Sequence, residues 1–218
     1  MLEIMAEFFD ARVESYDAHQ LDCIESAREF YPFTARCLPR EAGARVLDLG
    51  CGTGLELEEY FRLNPSAKVT GIDLAPGMLD ALRQKLGGRD LTLRLGSYFD
   101  LPFGENVFDA AVSVESLHHF TREEKLPLYA KLRRALVPGG YFILTDYFAL
   151  SDEEELQHRM EYNRLKKEQG LPDGVFYHYD TPLTVAHETE ALREAGFASV
   201  EVLHSWGATS TLKAVRIQ

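Results

Sequence analysis

Three glycines on alternate positions, in Val46-Leu47-Asp48-Leu49-Gly50-Cys51-Gly52-Thr53-Gly54, constrain this chain more than any other feature. The apolar run Arg45 to Leu49 reads as a short strand, and a helical pattern runs from Thr53 to about Leu63. The turn between them needs backbone angles that a Cβ would forbid, and it lets the main chain approach a bound molecule closely.

Strands and helices then alternate. Val69 to Asp73, Leu91 to Leu95, Val107 to Val114 and Tyr141 to Asp146 read as strands. Pro76 to Leu86, with proline in its first turn, and Arg122 to Leu136 read as helices. This order predicts an α/β fold with a mainly parallel, doubly wound sheet covered on both faces.

The flanks differ from this middle. Residues 3 to about 38 predict a helical segment, with Met5, Phe9, Val13 and Tyr16 on one stripe and Pro32 and Pro39 marking breaks. Ser151-Asp152-Glu153-Glu154 predicts a capping box, Glu154 reaching back to the Ser151 N–H, at the start of an external helix that ends near Gly170. A last helix is expected from Thr184 to Ala195, stopped at Gly196-Phe197. Ser199 to His204 and Thr209 to Ile217 should form a terminal hairpin around Trp206-Gly207-Ala208.

Asp73 ends the second strand, where a carboxylate can accept from both hydroxyls of a ribose. The glycine turn and Asp73 together imply an adenosine-type cofactor. A pyrophosphate prefers a G-x-G-x-x-G turn, whereas this turn is G-x-G-x-G with Asp48 two residues before it. An acid there repels phosphate and attracts an ammonium group. S-adenosylmethionine has that ammonium, a ribose and no phosphate.

Taken together, several blocks resemble a class I S-adenosylmethionine-dependent methyltransferase. They are Val46 to Gly54, Gly71 to Met78, Gly96 to Phe103, Phe108-Asp109 through His118-His119-Phe120, and Leu136 to Gly140, spanning roughly residues 40 to 150. The resemblance implies a Rossmann-like seven-stranded sheet, mostly parallel with a C-terminal antiparallel hairpin. An N-terminal helical lid (1–40), a cofactor-binding core (41–150), a cap insertion (151–180) and a final helix and hairpin (181–218) would make one domain.

By position, the resemblance implies that Gly50, Cys51, Gly52 and Gly54 line the methionine moiety and ribose, that Asp48 holds the ammonium through water or backbone, and that Asp73 binds the ribose hydroxyls. Leu74 and Met78 would lie beside adenine, Ser97, Tyr98 and Phe99 would complete its pocket, and Glu115, Ser116 and His118 would face the sulfonium. Family members often carry an acid where this chain has Ser97, so the adenine amino group would be met by Ser97 or by Asp100.

For chemistry, His118, His119 and His178 are the candidate bases, and Tyr16 packs either against the methyl-donor end or into the core. The aromatic segment Phe176 to Asp180 is either a wall of the acceptor pocket or a loop anchor. No His, Asp or Glu spacing suggests a metal, and Cys23, Cys37 and Cys51 form no CxxC pair. The expected activity is methyl transfer to a small-molecule acceptor, leaving S-adenosylhomocysteine. Residues 181–197 and the hairpin loosely resemble carboxy-S-adenosylmethionine synthases, which modify the cofactor and need a cation to hold the added carboxylate. A non-catalytic cofactor-binding module is a third reading.

A net charge of −12 without a basic run disfavours a nucleic-acid partner. Apolar stretches are too short for a membrane span. The acidic N-terminus, with no apolar segment after it, suggests a cytoplasmic protein. Oligomer formation is left open.

Overall fold

Val46 turns to one side of its strand while Leu47 and Leu49 turn to the other, and all three are fully buried. A strand buried on both faces needs a layer of helices on each, which is what the rest of the chain supplies. A computed structural model describes residues 1–217. The strands are β1 (Arg45–Leu49), β2 (Lys68–Asp73), β3 (Asp90–Leu95), β4 (Phe108–Val114), β5 (Leu136–Tyr147), β6 (Ser199–Trp206) and β7 (Thr209–Val215). They form one seven-stranded sheet in the order β3-β2-β1-β4-β5-β7-β6.

The first five are mutually parallel, and β7 runs antiparallel between β5 and β6. Strand order reverses beside β1, because β2 and β4 flank it on opposite edges. Open α/β sheets bind ligands at the carboxyl ends of strands at such a switch point.

The helices are α1 (Met5–Asp10), α2 (Val13–Cys23), α3 (Ala27–Cys37), α4 (Leu55–Leu63), α5 (Pro76–Leu86), α6 (Arg122–Ala135), α7 (Asp152–Glu168) and α8 (Val185–Glu194). Helices α3, α4 and α5 bury Phe30, Tyr60 and Leu82 against Val46, Val112 and Ile143. On the opposite face α6 and α8 bury Leu128, Leu132 and Leu192 against Leu47, Phe142 and Leu144. Lys125 of α6 and Glu188 of α8 are both buried and paired at 2.6 Å, with the Tyr129 hydroxyl donating to the same carboxylate. No described helix is long and apolar enough to cross a membrane.

Several boundaries differ from expectation. Pro32 lies inside α3 rather than at a break: its ring removes one backbone donor, and burial of Phe30, Tyr31, Thr34 and Ala35 keeps the helix whole. The N-terminal stripe is split by residues 11 and 12 into α1 and α2. Helix α4 begins at Leu55 because Gly54 adopts φ +77° at its N-cap. Strand β5 starts at Leu136, and its Pro138-Gly139 irregularity falls where the register with β4 shifts. Ser151 caps α7 as expected, accepting from the Glu154 N–H, but Glu154 accepts from Leu150 N–H at 2.7 Å instead of from Ser151. A complete capping box occurs at Thr121 and Glu124, at the start of α6.

Candidate active site

The glycine turn is pinned by β2. Gly50 and Cys51 donate their N–H groups to the Ile72 carbonyl at 2.9 and 3.1 Å. Asp73 accepts from the Gly52 N–H at 2.9 Å through Oδ2 and from the Ala75 N–H at 2.8 Å through Oδ1. Burial pushes the Asp73 carboxyl up, opposed by these backbone donors. At Gly50, with φ +75°, a Cβ would sit 2.2 Å from Ser116 Oγ, so the turn closes against the loop after β4 only because position 50 is glycine.

Asp48 lies beneath this turn with no exposed surface, and neither carboxylate oxygen has a hydrogen-bond partner. Burial raises its pKa well above the usual carboxylate range, and the nearby Glu56 carboxylate adds to the effect. The Lys85 charge offsets only part of this, at Glu56, so the buried acid pair favours an incoming ammonium group.

Two adjoining cavities open above the carboxyl ends of β1 and β4. The smaller, about 40 Å³, is lined by Gly50, Gly52, Asp73, Leu74 and Met78 on one side and by Met5, Tyr98 and Ser116 on the other. The larger, about 770 Å³, is lined by Phe8, Arg12, His118, Tyr147, His178 and Asp180 among others. Phe9, Tyr16, Glu115 and His119 line both. Arg12 is committed to Glu3 and to the Phe8 carbonyl.

Helices α1 and α2 form the roof. Asp10 accepts from the Gly77 N–H at 2.7 Å, a carboxylate at the N-terminus of α5. Asp17 accepts from the Thr53 hydroxyl and pairs with Lys85 at 2.6 Å. Residues 3 to 5 bond with 176 to 178, through Met5 N–H to the Phe176 carbonyl and His178 N–H to the Glu3 carbonyl, both at 2.9 Å.

The seam between the cavities is rich in titratable groups. His118 Nδ1 lies 2.5 Å from Asp146 Oδ1, and its Nε2 lies 3.5 Å from Asp180 Oδ1. Burial alone would lower the His118 pKa, but Asp146, with help from Asp180 and Glu115, pushes it up to about 9. His119 Nδ1 lies 3.1 Å from the same Asp180 oxygen; burial and then the charge on His118 lower its pKa. His178, lowered to about 4 by burial and then by His119, stacks on Phe8. Burial acts to raise the Asp180 carboxyl, yet the surrounding histidines hold it well below the usual range. Burial pushes Glu115 up to about 8, against the pull of His118. Tyr16 is raised by burial and then by Asp73, so it stays a phenol.

Not every expected residue reaches these cavities. Cys51 turns its thiol into the core, where a Cβ on Gly71 would come within 2.7 Å of Sγ. Gly54 lies against α5, where a Cβ would meet Leu82 at 2.3 Å, and with Cys51, Gly50, Gly52 and Tyr16 it lines a separate small cavity at the turn. Ser97 Oγ accepts from the Phe99 N–H at 3.0 Å, closing a local turn, and Asp100 is exposed. Phe99 packs among Phe120, Phe176 and Tyr98. Within 176–180, His178 and Asp180 face the larger cavity, while Phe176 and Tyr177 anchor the loop. Asp146 was missed by sequence reasoning; its signal was its place at the carboxyl end of β5, one register position beyond the Val114–Thr145 pair.

Residues 46–140 match the methyltransferase domain family. This stretch is a class I S-adenosylmethionine-dependent methyltransferase domain. The chain is 32% identical over 149 residues to demethylmenaquinone methyltransferase of Symbiobacterium thermophilum, covering 65% of this chain and 58% of that protein. It is 30% identical over 166 residues to erythromycin 3''-O-methyltransferase of Saccharopolyspora erythraea, covering 73% of this chain and 52% of that protein. The aligned region thus spans little more than half of each relative's length. The fold matches a solved S-adenosylmethionine-dependent methyltransferase from Mesorhizobium loti with a TM-score of 0.64 at 22% identity, covering 90% of this chain and all of that one.

Proposed function

We propose that this chain transfers a methyl group from S-adenosylmethionine to a small-molecule acceptor by in-line displacement, with S-adenosylhomocysteine as the second product. The observation that carries this reading is the shared wall of the two cavities, where Phe9, Tyr16, Glu115 and His119 face both. The smaller cavity takes the cofactor and the larger takes the acceptor, so donor and acceptor meet across these four residues.

The residues fit the cofactor. Asp73 keeps free lone pairs beyond its two backbone bonds and accepts from the ribose hydroxyls. The unpartnered Asp48 carboxylate below the turn answers the ammonium group. Leu74 and Met78 supply apolar surface for adenine. The smaller cavity is narrower than a nucleoside, and a Tyr16 ring carbon lies 3.8 Å from where a Gly52 Cβ would stand. Admitting the cofactor therefore requires the roof formed by α1 and α2 to give way.

When bound, the cofactor supplies a methyl group on a sulfonium that is already a good leaving group. The protein's task is then positioning, plus removal of an acceptor proton where there is one. Tyr16 donates a hydrogen bond and orients; Glu115, whose Oε1 is buried and unpartnered, receives the proton in its ionised form, which its pKa of about 8 makes increasingly available above neutral pH. With Nε2 protonated, His118 is held in its charged form by Asp146 and contributes charge rather than a base; an ion bound at Nε2 would replace that proton.

The test is an acceptor panel of amines, alcohols, thiols and carboxylates, scored by S-adenosylhomocysteine release. The expected result is turnover with at least one class, reduced about 10²- to 10⁴-fold by Glu115→Gln with little change in cofactor affinity. Tight cofactor binding with no turnover of any class would leave a binding module instead.

A further inference from the structure

His118, His119 and Asp180 each offer one ligand atom, and these atoms lie within 4.8 Å of one another. Asp180 Oδ1 is 3.1 Å from His119 Nδ1 and 3.5 Å from His118 Nε2. Ligand atoms about 2.0–2.2 Å from a common ion stand about 3 to 3.6 Å apart in octahedral or tetrahedral sets. Both Asp180 separations already fall in that range.

The supporting shell is also that of a metal site. His118 points Nδ1 at Asp146, which leaves Nε2 toward Asp180 and the cavity. An imidazole that binds a metal through one nitrogen usually donates its other N–H to a carboxylate, which fixes the tautomer and the ring. Asp146 is itself fixed, accepting from the Leu117 N–H at 2.9 Å and the Tyr147 N–H at 3.0 Å. Glu115 completes the setting: it belongs to a second convergent set with His118 and Asp146, and its Oε1 is buried without a partner. The ion-pair partners of Asp146 and Asp180 are histidines, so three carboxylates face two imidazoles here.

We propose that His118, His119 and Asp180 bind one divalent transition-metal ion at the wall of the larger cavity, with its remaining positions open to the acceptor. Two imidazoles and one carboxylate on one side of an ion suit Zn²⁺, Mn²⁺, Fe²⁺ or Co²⁺ rather than the all-oxygen shell of Ca²⁺. The role of the ion rests on the reading of that cavity as the acceptor pocket. The acceptor it selects carries an oxygen or nitrogen lone pair that binds the ion, which holds this atom toward the seam, while Glu115 stays free to take its proton. Local spacing carried no metal signature because the ligands come from the turn after β4 and from the loop before α8, which only the fold brings together.

The probe is Co²⁺, titrated into the untagged full chain after chelator treatment and followed by its visible ligand-field absorption and by elemental analysis. The expected result is one ion per chain, with affinity at least tenfold weaker in His119→Ala and in Asp180→Asn. Asp146→Asn should weaken it by about 10- to 100-fold. Circular dichroism establishes that each variant is folded, and the near-isosteric Asp180→Asn serves if His119→Ala is not. Wild-type affinity in both folded ligand variants, or no cobalt uptake by the wild type at millimolar concentration, overturns the proposal. Calorimetry with S-adenosylhomocysteine on the same wild-type samples reports separately on the cofactor reading, since Asp73 and the glycine turn lie outside the ligand set.

Discussion

The Asp73 carboxylate accepts a hydrogen bond from the Gly52 N–H at 2.9 Å, so the acid ending β2 holds the glycine turn that follows β1. One side chain therefore shapes the turn and presents its remaining lone pairs to the cavity. Asp73→Asn keeps the size but removes the charge and one acceptor. Hydrogen bonds to a charged group contribute about 1.5–3 kcal/mol, so S-adenosylhomocysteine affinity should fall roughly 10- to 150-fold by calorimetry. An affinity within twofold of wild type would remove Asp73 from the ribose site.

Gly54 and Gly43 separate backbone strain from packing. Both have positive φ, +77° and +74°, but a Cβ at 54 meets Leu82 at 2.3 Å while one at 43 meets nothing within 4 Å. Each alanine substitution carries a left-handed penalty of roughly 1–2 kcal/mol. Gly54→Ala adds overpacking of about 1–3 kcal/mol. Urea unfolding should therefore rank Gly54→Ala clearly below Gly43→Ala; equal losses would mean that α4 and α5 separate freely.

The buried pair of Lys125 and Glu188 ties α6 to α8. Lys125→Met leaves a buried carboxylate uncompensated and should cost roughly 3–5 kcal/mol in chemical denaturation. Lys125→Met with Glu188→Leu should recover a large part of that loss. A double variant no better than the single one would show that the pair is not what the single variant breaks.

Much of this was legible in the sequence, for physical reasons. Alternation in Arg45 to Leu49 and the glycines after it admit few solutions, and Asp48 and Asp73 sit at strand ends where ligand chemistry belongs. At Cys51, Gly54 and Phe99 a motif position does not say which way a side chain faces, and packing decides that in each case. The cluster around His118 was only half visible. Asp146 and Asp180 arrive from β5 and from the loop after α7, contacts that no local spacing encodes. Pro32 misled because tertiary burial overrode a local rule.

Acid stability should carry the signature of Arg45 and Asp109, which join the start of β1 to β4 at 2.8 Å. The Arg45 hydrogen bond holds the Asp109 carboxyl below its ordinary value, against the opposing effect of burial. A depressed carboxylate contributes stability above its unfolded pKa of about 3.9, and loses it as pH falls through the folded value. Wild type should therefore exceed Asp109→Asn in urea midpoint at neutral pH, with the gap closing below about pH 4. A gap that is constant or widens with acid would contradict the assignment.

The central claim is that donor and acceptor meet at the seam of two cavities, and a crystal structure with S-adenosylhomocysteine tests it most directly. The account predicts ribose hydroxyls on Asp73, the amino group on the Asp48 side of the glycine turn, and the sulfur facing Glu115 and His119. A ribose away from Asp73, or a sulfur turned from the larger cavity, would contradict it.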